Sequence, residues 1–167
     1  MSDELLALVD EEGRPAGSAP RRLCHGNPAL IQAVVHLFVF DPQGRLFLQK
    51  RAEAKDTFPG RWDTSVGGHV APGESPEQAL RREAREELGL ELASFQPLPA
   101  YLCRSDWESE YVFPFRTVHE GELRPDPEEI AAGRYFSGQE IRRQLEADLE
   151  FFTPHFRFAY ARLSFLD

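Results

Sequence analysis

One stretch of the sequence, residues 68–90 (GHVAPGESPEQALRREAREELGL), specifies a helix together with both of its ends. Ser75 is a favourable N-cap residue, Pro76 suits the first helical position, and Gln78 completes a capping box. Gly89 is the residue type that commonly follows the last helical turn. The sequence therefore predicts a helix of about three and a half turns between Ser75 and Gly89.

The faces of this helix differ in chemistry. With about 100° between successive residues, its apolar side chains form one stripe, and three carboxylates fan out along the edge of that stripe. Carboxylates this close repel one another unless a cation lies among them. Hard oxygen ligands suit Mg²⁺ or Mn²⁺. The sequence therefore predicts a metal site formed by Glu83, Glu86 and Glu87.

A solvated, salt-bridged surface helix is the ordinary interpretation of a sequence rich in Glu and Arg. Two features favour the metal site instead. The carboxylates lie beside the buried stripe and not opposite it. The segment also opens on Gly67 and Gly68, whose backbone can approach a ligand or metal closely.

The same stretch resembles a Nudix box, in which glycines, glutamates and an Arg-Glu pair recur at fixed spacing. The residues that fill its defined positions are Gly68, Glu74, Arg82, Glu83, Ala84, Glu86, Glu87, Gly89 and Leu90. The resemblance implies the Nudix fold, an α/β/α sandwich, and metal-assisted hydrolysis of a diphosphate bond. The substrate that it implies is a nucleoside diphosphate linked to another moiety.

The resemblance also implies roles for individual residues. The helix carboxylates and a backbone carbonyl of Gly67 or Gly68 are expected to hold one or more Mg²⁺ ions, for which Mn²⁺ substitutes. Glu83 is our candidate for orienting or deprotonating the attacking water, and Glu129 or Glu110 are the alternatives. For Glu129, an acidic helix N-terminus is the competing interpretation.

Other residues are expected to support this chemistry. Arg82 is predicted to fix Glu86, four residues later, without touching substrate, and Glu74 to brace the junction between loop and helix. Candidate contacts to the substrate are Lys50, Arg51, Lys55 and Glu110. For the three cations, surface solvation is the alternative.

Composition limits the classes of partner. The formal net charge is −9, which argues against binding to nucleic acid or to a membrane surface. An anionic small molecule, such as a diphosphate, must then be drawn by a local cation. The chain has two cysteines without metal-type spacing, Cys24 and Cys103, and a reducing, cytoplasmic setting is expected.

The rest of the chain indicates one α/β or α+β domain with a mixed sheet between the box helix and a C-terminal helix. Residues 1–30 are interpreted as a lead-in segment of the same domain, and residues 31–167 as the Nudix domain; the lead-in segment is compatible with a homodimer. Residues 31–40 predict a strand buried on both faces. Pro114 indicates that a strand over 111–118 lies near an edge. Helices are predicted over 141–149 and 156–165.

From about Leu8 onward, the chain is similar to the Nudix subgroup related to isopentenyl diphosphate isomerases. The resemblance places Glu108 and Glu110 where that family keeps metal-ligand and proton-transfer acids. It places His25 and His69 where that family keeps metal-binding histidines. Isomerases carry a catalytic cysteine immediately before the Gly-His pair, and this chain has Gly67 there. Gln32 likewise stands near the place of another metal-binding histidine.

Three classes of function follow: a diphosphate hydrolase, an isomerase of isopentenyl diphosphate, and a non-catalytic binding module with the Nudix fold. Gly67 disfavours the isomerase, because a glycine cannot deliver or accept a proton. The complete set of box glutamates disfavours the binding module. The sequence does not select one diphosphate substrate.

Overall fold

The computed structural model describes residues 3–163, in which ten strands form one mixed sheet and four helices accompany it. The strands are β1 (Leu5–Val9), β2 (Pro15–Pro20), β3 (Ile31–Phe40), β4 (Leu46–Arg51), β5 (Trp62–Asp63), β6 (Val66–His69), β7 (Gln96–Pro97), β8 (Tyr101–Arg104), β9 (Ser109–Val118) and β10 (Ile130–Phe136). The helices are α1 (Arg21–Cys24), α2 (Pro76–Leu88), α3 (Gly138–Ala147) and α4 (Pro154–Arg162).

Strand β3 is the centre of the sheet, and all of its residues are buried. It pairs with β9 in parallel and with β1, β4 and β6 in antiparallel orientation. Because successive side chains point to opposite faces, β3 contributes to two cores. One face packs on α2 through Val35, Leu37, Val39, Leu80, Ala84 and Leu88. The other packs beneath α3 and α4 through Val34, Phe38, Phe40, Ile141, Phe152 and Phe156. The predicted α/β/α sandwich is confirmed.

Strand β9 lies inside the sheet, so the edge position predicted from Pro114 is wrong. β9 pairs with β3 along its whole length and with β8 and β7 on its other side. The Pro114 carbonyl accepts a hydrogen bond from the Leu98 amide at 2.8 Å. The Pro114 nitrogen, which has no hydrogen to donate, therefore faces the irregular break between β7 and β8, where no ladder bond is lost.

The N-terminal segment forms a hairpin that is joined to the sheet. β1 pairs with β2, and Leu8 pairs with Gln32 of β3. The Ala7 amide also donates to the Val70 carbonyl at 2.9 Å. The hairpin is thereby joined both to β3 and to the residue that follows β6. The division at residue 30 and the homodimer stay predictions.

The helix termini follow from side-chain capping. In α2, both bonds of the predicted capping box form between Ser75 and Gln78, and Gly89 adopts a left-handed conformation with φ of 61°. α3 begins earlier than predicted because Ser137 caps it. α4 also begins earlier, at Pro154, and the end predicted for it lies outside the described residues. Within the described residues, no helix combines the length and the apolar character needed to cross a membrane.

Candidate functional site

A cavity of about 540 Å³ opens where β3, β6 and β9 meet α2 and the start of α4. Most of the residues that line it are polar or charged. The predicted site residues in its wall include Arg51, Lys55, Gly68, Glu83, Glu86, Glu87, Glu110 and Glu129, whereas Lys50 and Arg82 do not line it. The fold therefore gathers residues from five separate parts of the chain around one space.

The three carboxylates of α2 lie together at this cavity but differ in exposure. Glu87 is buried, Glu83 is half-buried and Glu86 is exposed. Gln49 of β4 donates to the Glu87 carboxylate at 2.8 Å, and the Glu83 and Glu87 carboxyl groups contact each other. Burial, together with the charge of Glu83, raises the pKa of Glu87 well above its usual range. Burial also raises the pKa of Glu83.

These raised pKa values show that two negative charges are unfavourable here unless a positive charge joins them. The donor set consists of carboxylate oxygens on a helix beside the peptide groups of β6. Such hard oxygen ligands fit Mg²⁺ or Mn²⁺. Glu83, Glu86 and Glu87 stay the predicted ligands of a divalent ion. Among the described residues, the group whose candidate ligand atoms already lie within 4.8 Å of one another is Glu108, Glu110 and His155.

The two glycines of β6 are not equivalent. A Cβ atom on Gly68 would overlap the Glu83 carboxylate. A Cβ atom on Gly67 would lie 3.4 Å from the His36 ring, which is an ordinary contact. Only Gly68 is required for the close approach of the β6 backbone to the carboxylates.

Arg82 lies behind the carboxylates and joins α2 to the loop before it. Its guanidinium donates two bonds to Glu74, at 2.8 and 2.9 Å, and one to the His69 carbonyl at 3.0 Å. It also donates to Glu83 at 2.7 Å, whereas the predicted contact with Glu86 is the longest, at 3.4 Å. Glu74 accepts from the Ala71 amide as well. Arg82 thus orients Glu83 more closely than Glu86.

The predicted cations have different positions. Lys50 does not line the cavity, because strand alternation places it on the face of Leu46 and Leu48, which pack beneath α3 and α4. Arg51 lines the cavity, but its guanidinium donates to the Thr57 carbonyl and hydroxyl.

A second ion pair brings a loop residue to the cavity. Lys55, in the loop after β4, lines the cavity and forms a short ion pair with Glu129. Glu129 lies in a turn before β10 and not at the start of a helix. The interpretation of Glu129 as part of an acidic helix N-terminus is therefore wrong.

A second charged cluster faces the same cavity. His155, in the first turn of α4, contacts the Glu110 carboxylate at 2.9 Å and the Glu108 carboxylate at 3.5 Å. Burial opposes charge on both partners, but their mutual attraction prevails. It raises the pKa of His155 and lowers that of Glu110. Candidate ligand atoms of these three residues all lie within 4.8 Å of one another.

The histidines named in the sequence analysis are engaged with other side chains. His69 contacts the Gln32 side-chain oxygen at 3.0 Å, and the Gln32 amide donates to Glu108 at 3.3 Å. The His25 ring packs against Trp107 in a tilted arrangement, with ring centroids 4.7 Å apart. Gln32 thus bridges His69 to the cluster of Glu108, Glu110 and His155.

Sequence reasoning did not find Gln49, Trp107 or His155. His155 is 45 residues from Glu110 in the chain, and no local spacing connects the two. Gln49 alternates with apolar residues in β4, and only the pairing of β4 beside α2 brings it to Glu87. Trp107 is one residue before Glu108, and the exposure of its ring is known only from the structure.

Comparisons with known proteins agree with this fold. A model of the NUDIX domain matches residues 30–156. The isopentenyl-diphosphate Delta-isomerase of Clavibacter michiganensis is 35% identical over 144 residues, covering 83% of this chain and 74% of that protein. The protein of the same name from Streptomyces coelicolor is 36% identical over 157 residues, covering 86% and 76%.

Solved structures give the same result. A crystal structure from Deinococcus radiodurans superposes with a TM-score of 0.73 and 30% identity, covering 87% of this chain and 90% of that one. The MutT protein of Methanosarcina mazei superposes with a TM-score of 0.67 at 21% identity, covering 79% and 91%, and shows likeness of fold. The predicted fold and resemblance are confirmed.

The two glycines of β6 provide a matched test of the metal site. Gly68→Ala should weaken Mn²⁺ binding by about 10- to 100-fold, because the new methyl group displaces Glu83. Gly67→Ala should change it by less than about twofold, since its Cβ meets only ordinary contacts. Titration calorimetry of both variants measures the difference. Equal affinities in the two variants would show that the carboxylates do not bind the ion beside Gly68.

The ion pair between Glu110 and His155 predicts a pH dependence of stability. His155 has a raised pKa, so its contribution is complete below its ordinary value of 6.5 and is lost as pH rises above it. Glu110 has a lowered pKa, so its contribution is complete above 4.5 and is lost as pH falls. The pair therefore stabilises the fold most between pH 4.5 and 6.5.

The reference for this measurement is the double variant Glu110→Gln/His155→Gln, which removes both titrating groups. The difference in free energy of unfolding between the natural chain and the double variant should shrink above about pH 6.5, by up to about 1.4 kcal/mol per pH unit. Urea unfolding with a chelator present, at about pH 5.5 and about pH 8.5, measures it. A difference that stays constant over this interval would contradict the ion pair.

Proposed function

This chain belongs to the Nudix family, and on that premise we propose that it is a divalent-metal-dependent hydrolase of a diphosphate bond. The proposed substrate is a nucleoside diphosphate linked to another moiety. The observation that carries the proposal is the convergence of Glu83, Glu86 and Glu87 on one cavity beside Gly68. Two of these carboxylates have raised pKa values, as expected of a site built around a cation.

The proposed mechanism divides the work between the ion and the chain. A bound Mg²⁺ neutralises phosphate oxygens and lowers the pKa of a coordinated water. Phosphoryl transfer then needs mainly positioning and charge neutralisation. The chain supplies the positioning, because Arg82 and Glu74 fix the orientation of Glu83 and of the turn that precedes α2.

Glu83 is the proposed base that orients or deprotonates the water. Arg82 orients its carboxylate at 2.7 Å and the side chain lines the cavity, so Glu83 is positioned to accept a proton from a water there. The alternatives are less suited. Glu110 has a lowered pKa because His155 holds it as a carboxylate, and Glu129 is engaged by Lys55.

Positive side chains assist binding of the phosphates in this proposal. Lys55 lies in the cavity wall and can exchange its contact with Glu129 for a phosphate oxygen. Arg51 is held by Thr57 and by Asp63, which lies 3.5 Å away. We therefore assign phosphate binding to Lys55 and stabilisation of the loop over 52–61 to Arg51.

Isomerisation of isopentenyl diphosphate is the second candidate, because relatives 31–36% identical carry that name. Three observations disfavour it in this chain. Gly67 occupies the position that the resemblance gives to a catalytic cysteine. Neither Cys24 nor Cys103 is among the described residues that line the cavity. Glu110, the candidate proton-transfer acid, is held as a carboxylate by His155.

A non-catalytic module is the third candidate, and the complete set of box carboxylates argues against it.

For the setting of the protein, both cysteines are free thiols, which supports the expected reducing, cytoplasmic environment.

The test is hydrolysis of a panel of nucleoside triphosphates, nucleotide sugars, dinucleotides, coenzyme A and isopentenyl diphosphate, in Mg²⁺ and in Mn²⁺. The phosphorylated products are separated by chromatography, because cleavage of a linked nucleoside diphosphate yields two phosphomonoesters and no free phosphate. Glu87→Gln should lower turnover by about a hundredfold or more, because it removes a metal ligand. The matched control is Glu77→Gln, an exposed glutamate of the same helix, which should retain activity.

Stability separates loss of chemistry from loss of folding. Glu87 is a buried carboxyl group beside Glu83 with a raised pKa, so replacing it by the neutral amide should not destabilise the metal-free protein. Full activity in Glu87→Gln would contradict the metal site. Proton exchange into isopentenyl diphosphate without phosphate release would replace the hydrolase by the isomerase.

A further inference from the structure

One histidine of the cavity wall is not used by the proposed mechanism. His36 lies in the middle of β3, lines the cavity and is 6% exposed. Its Nδ1 atom is buried and has no hydrogen-bond partner among the described residues. A buried polar atom without a partner costs free energy, and native structures keep few of them. His36 is therefore a candidate for contact with a ligand.

A neighbouring glycine leaves one edge of the His36 ring open to the cavity. Gly67 of β6 pairs with His36, so side chains at these two positions would lie on the same face of the sheet. A Cβ atom on Gly67 would lie 3.4 Å from His36 Cδ2 and 3.7 Å from His36 Nε2. Because Gly67 lines the cavity, the Nε2 edge of the ring borders the space that a side chain at position 67 would fill.

The tautomer of His36 follows from the burial of Nδ1. Burial lowers the pKa of His36, which favours the neutral ring, and a neutral imidazole carries one hydrogen. On Nδ1 this hydrogen would be buried without an acceptor, and an orphaned N–H is rarer in proteins than an acceptor with spare capacity. On Nε2 it borders the space above Gly67. A protonated ring carries hydrogen on both nitrogens, so Nε2 is a donor in either state.

The acidic side chains that act on His36 are bound to other groups. The charges of Glu110 and Asp63 both influence the ring. The Glu110 carboxylate contacts His155 at 2.9 Å, and Asp63 accepts from the Thr153 hydroxyl at 2.9 Å. In the described part of the chain, no hydrogen bond joins either carboxylate to His36. An acceptor for Nε2 therefore comes from what enters the cavity.

We propose that His36 is a substrate-contacting residue, whose Nε2–H donates a hydrogen bond to an oxygen of the diphosphate. The space above Gly67 adjoins the predicted metal site, because the next residue, Gly68, meets the Glu83 carboxylate. Hydrogen bonds to charged oxygens are stronger than those between neutral groups. The inference rests on the proposed function for its diphosphate, but binding of a diphosphate does not require that it is cleaved.

Binding without turnover tests this contact directly. The probe is methylenediphosphonate, in which a carbon bridge replaces the bridging oxygen and prevents hydrolysis. Titration calorimetry in saturating Mg²⁺ gives its affinity. His36→Leu removes the donor and should weaken binding about tenfold or more. His36→Gln places an amide donor near the position of Nε2 and should keep the affinity within about threefold.

Two further measurements separate this contact from a structural role. His36→Leu removes a buried nitrogen that has no partner, so the free energy of unfolding should not decrease. The affinity for Mn²⁺ without the probe should also be unchanged, because His36 is not among the predicted metal ligands.

Gly67→Ala tests the contact from the opposite side. Its methyl group fills the space beside Nε2, so it should weaken methylenediphosphonate about tenfold. Its affinity for Mn²⁺ should change by less than about twofold. This variant decides the question if His36→Leu does not fold.

Three results would overturn the contact. One is a natural chain that does not bind methylenediphosphonate in Mg²⁺. Another is equal affinity for the probe in the natural chain, His36→Leu and Gly67→Ala. The third is a loss of affinity in His36→Leu for a complete substrate but not for the probe, which would place His36 against another part of the substrate.

The two proposals fail in different ways. If the probe binds through His36 but no compound of the panel is hydrolysed, the hydrolase is wrong and the contact stands. If a diphosphate is hydrolysed with the same kcat and KM in His36→Leu as in the natural chain, the hydrolase stands and the contact is wrong.

Discussion

The structure of the site depends on the network that Arg82 makes with its neighbours. One guanidinium holds Glu74, Glu83 and the His69 carbonyl, and so connects α2, the turn before it and the end of β6. Burial and the charge of Glu83 both disfavour ionisation of Glu87. The Glu83 and Glu87 carboxyl groups would therefore separate if α2 were free to rotate. The bonds to Glu74 raise the pKa of Arg82 further, so its positive charge stays beside the carboxylates.

Because the net charge of the protein is −9, the proposed binding of an anionic diphosphate depends on positive charge within the cavity. The overall field repels such a ligand. In the proposed function, positive charge within the cavity would come from a divalent ion on α2, from Lys55 in the loop over 52–61 and from the His155 imidazolium on α4. In this proposal, some acidic groups bind the metal ion and others hold the cationic side chains in place. The substrate then contacts these positive charges.

Much of the site could be predicted from the sequence because its signals are local. The capping residues Ser75 and Gly89 and the spacing of Glu83, Glu86 and Glu87 lie within one helix and the turns beside it, where position follows from helical periodicity. The burial of both faces of β3 was likewise predictable from a nearly all-apolar run over residues 31–40. Pro114 misled because a missing donor is also tolerated opposite a gap in a neighbouring strand.

The remaining features depend on pairing between distant segments. The contact of His155 with Glu110 requires α4 to start above β9, which no spacing in the sequence indicates. Gln49 reaches Glu87 only because β4 and α2 pack on the same core. Lys50 and Arg51 were equivalent candidates until the strand register placed one of them outside the cavity. Each of these contacts depends on tertiary packing between distant segments, which cannot be predicted from the residue pattern within one segment.

The chain is similar in sequence to proteins named isopentenyl-diphosphate Delta-isomerase, but it differs from the isomerase pattern at residues of the cavity wall. Gly67 and Gln32 change what the cavity wall offers to a ligand: one is a glycine without a reactive group, and the other is an amide bound to His69. The carboxylates of α2 are unaffected by these differences. They are the reason that we propose a metal-dependent reaction at α2 and not proton transfer at β9.

The most direct measurement is proton release on binding of Mg²⁺, determined by calorimetry near neutral pH in buffers of different ionisation enthalpy. If Glu83 and Glu87 form the ion site, the ion competes with the proton that their raised pKa values favour. The account predicts release from the natural chain and its loss in Glu87→Gln. Mg²⁺ binding of equal strength and without proton release in both proteins would contradict the assignment of the metal to α2.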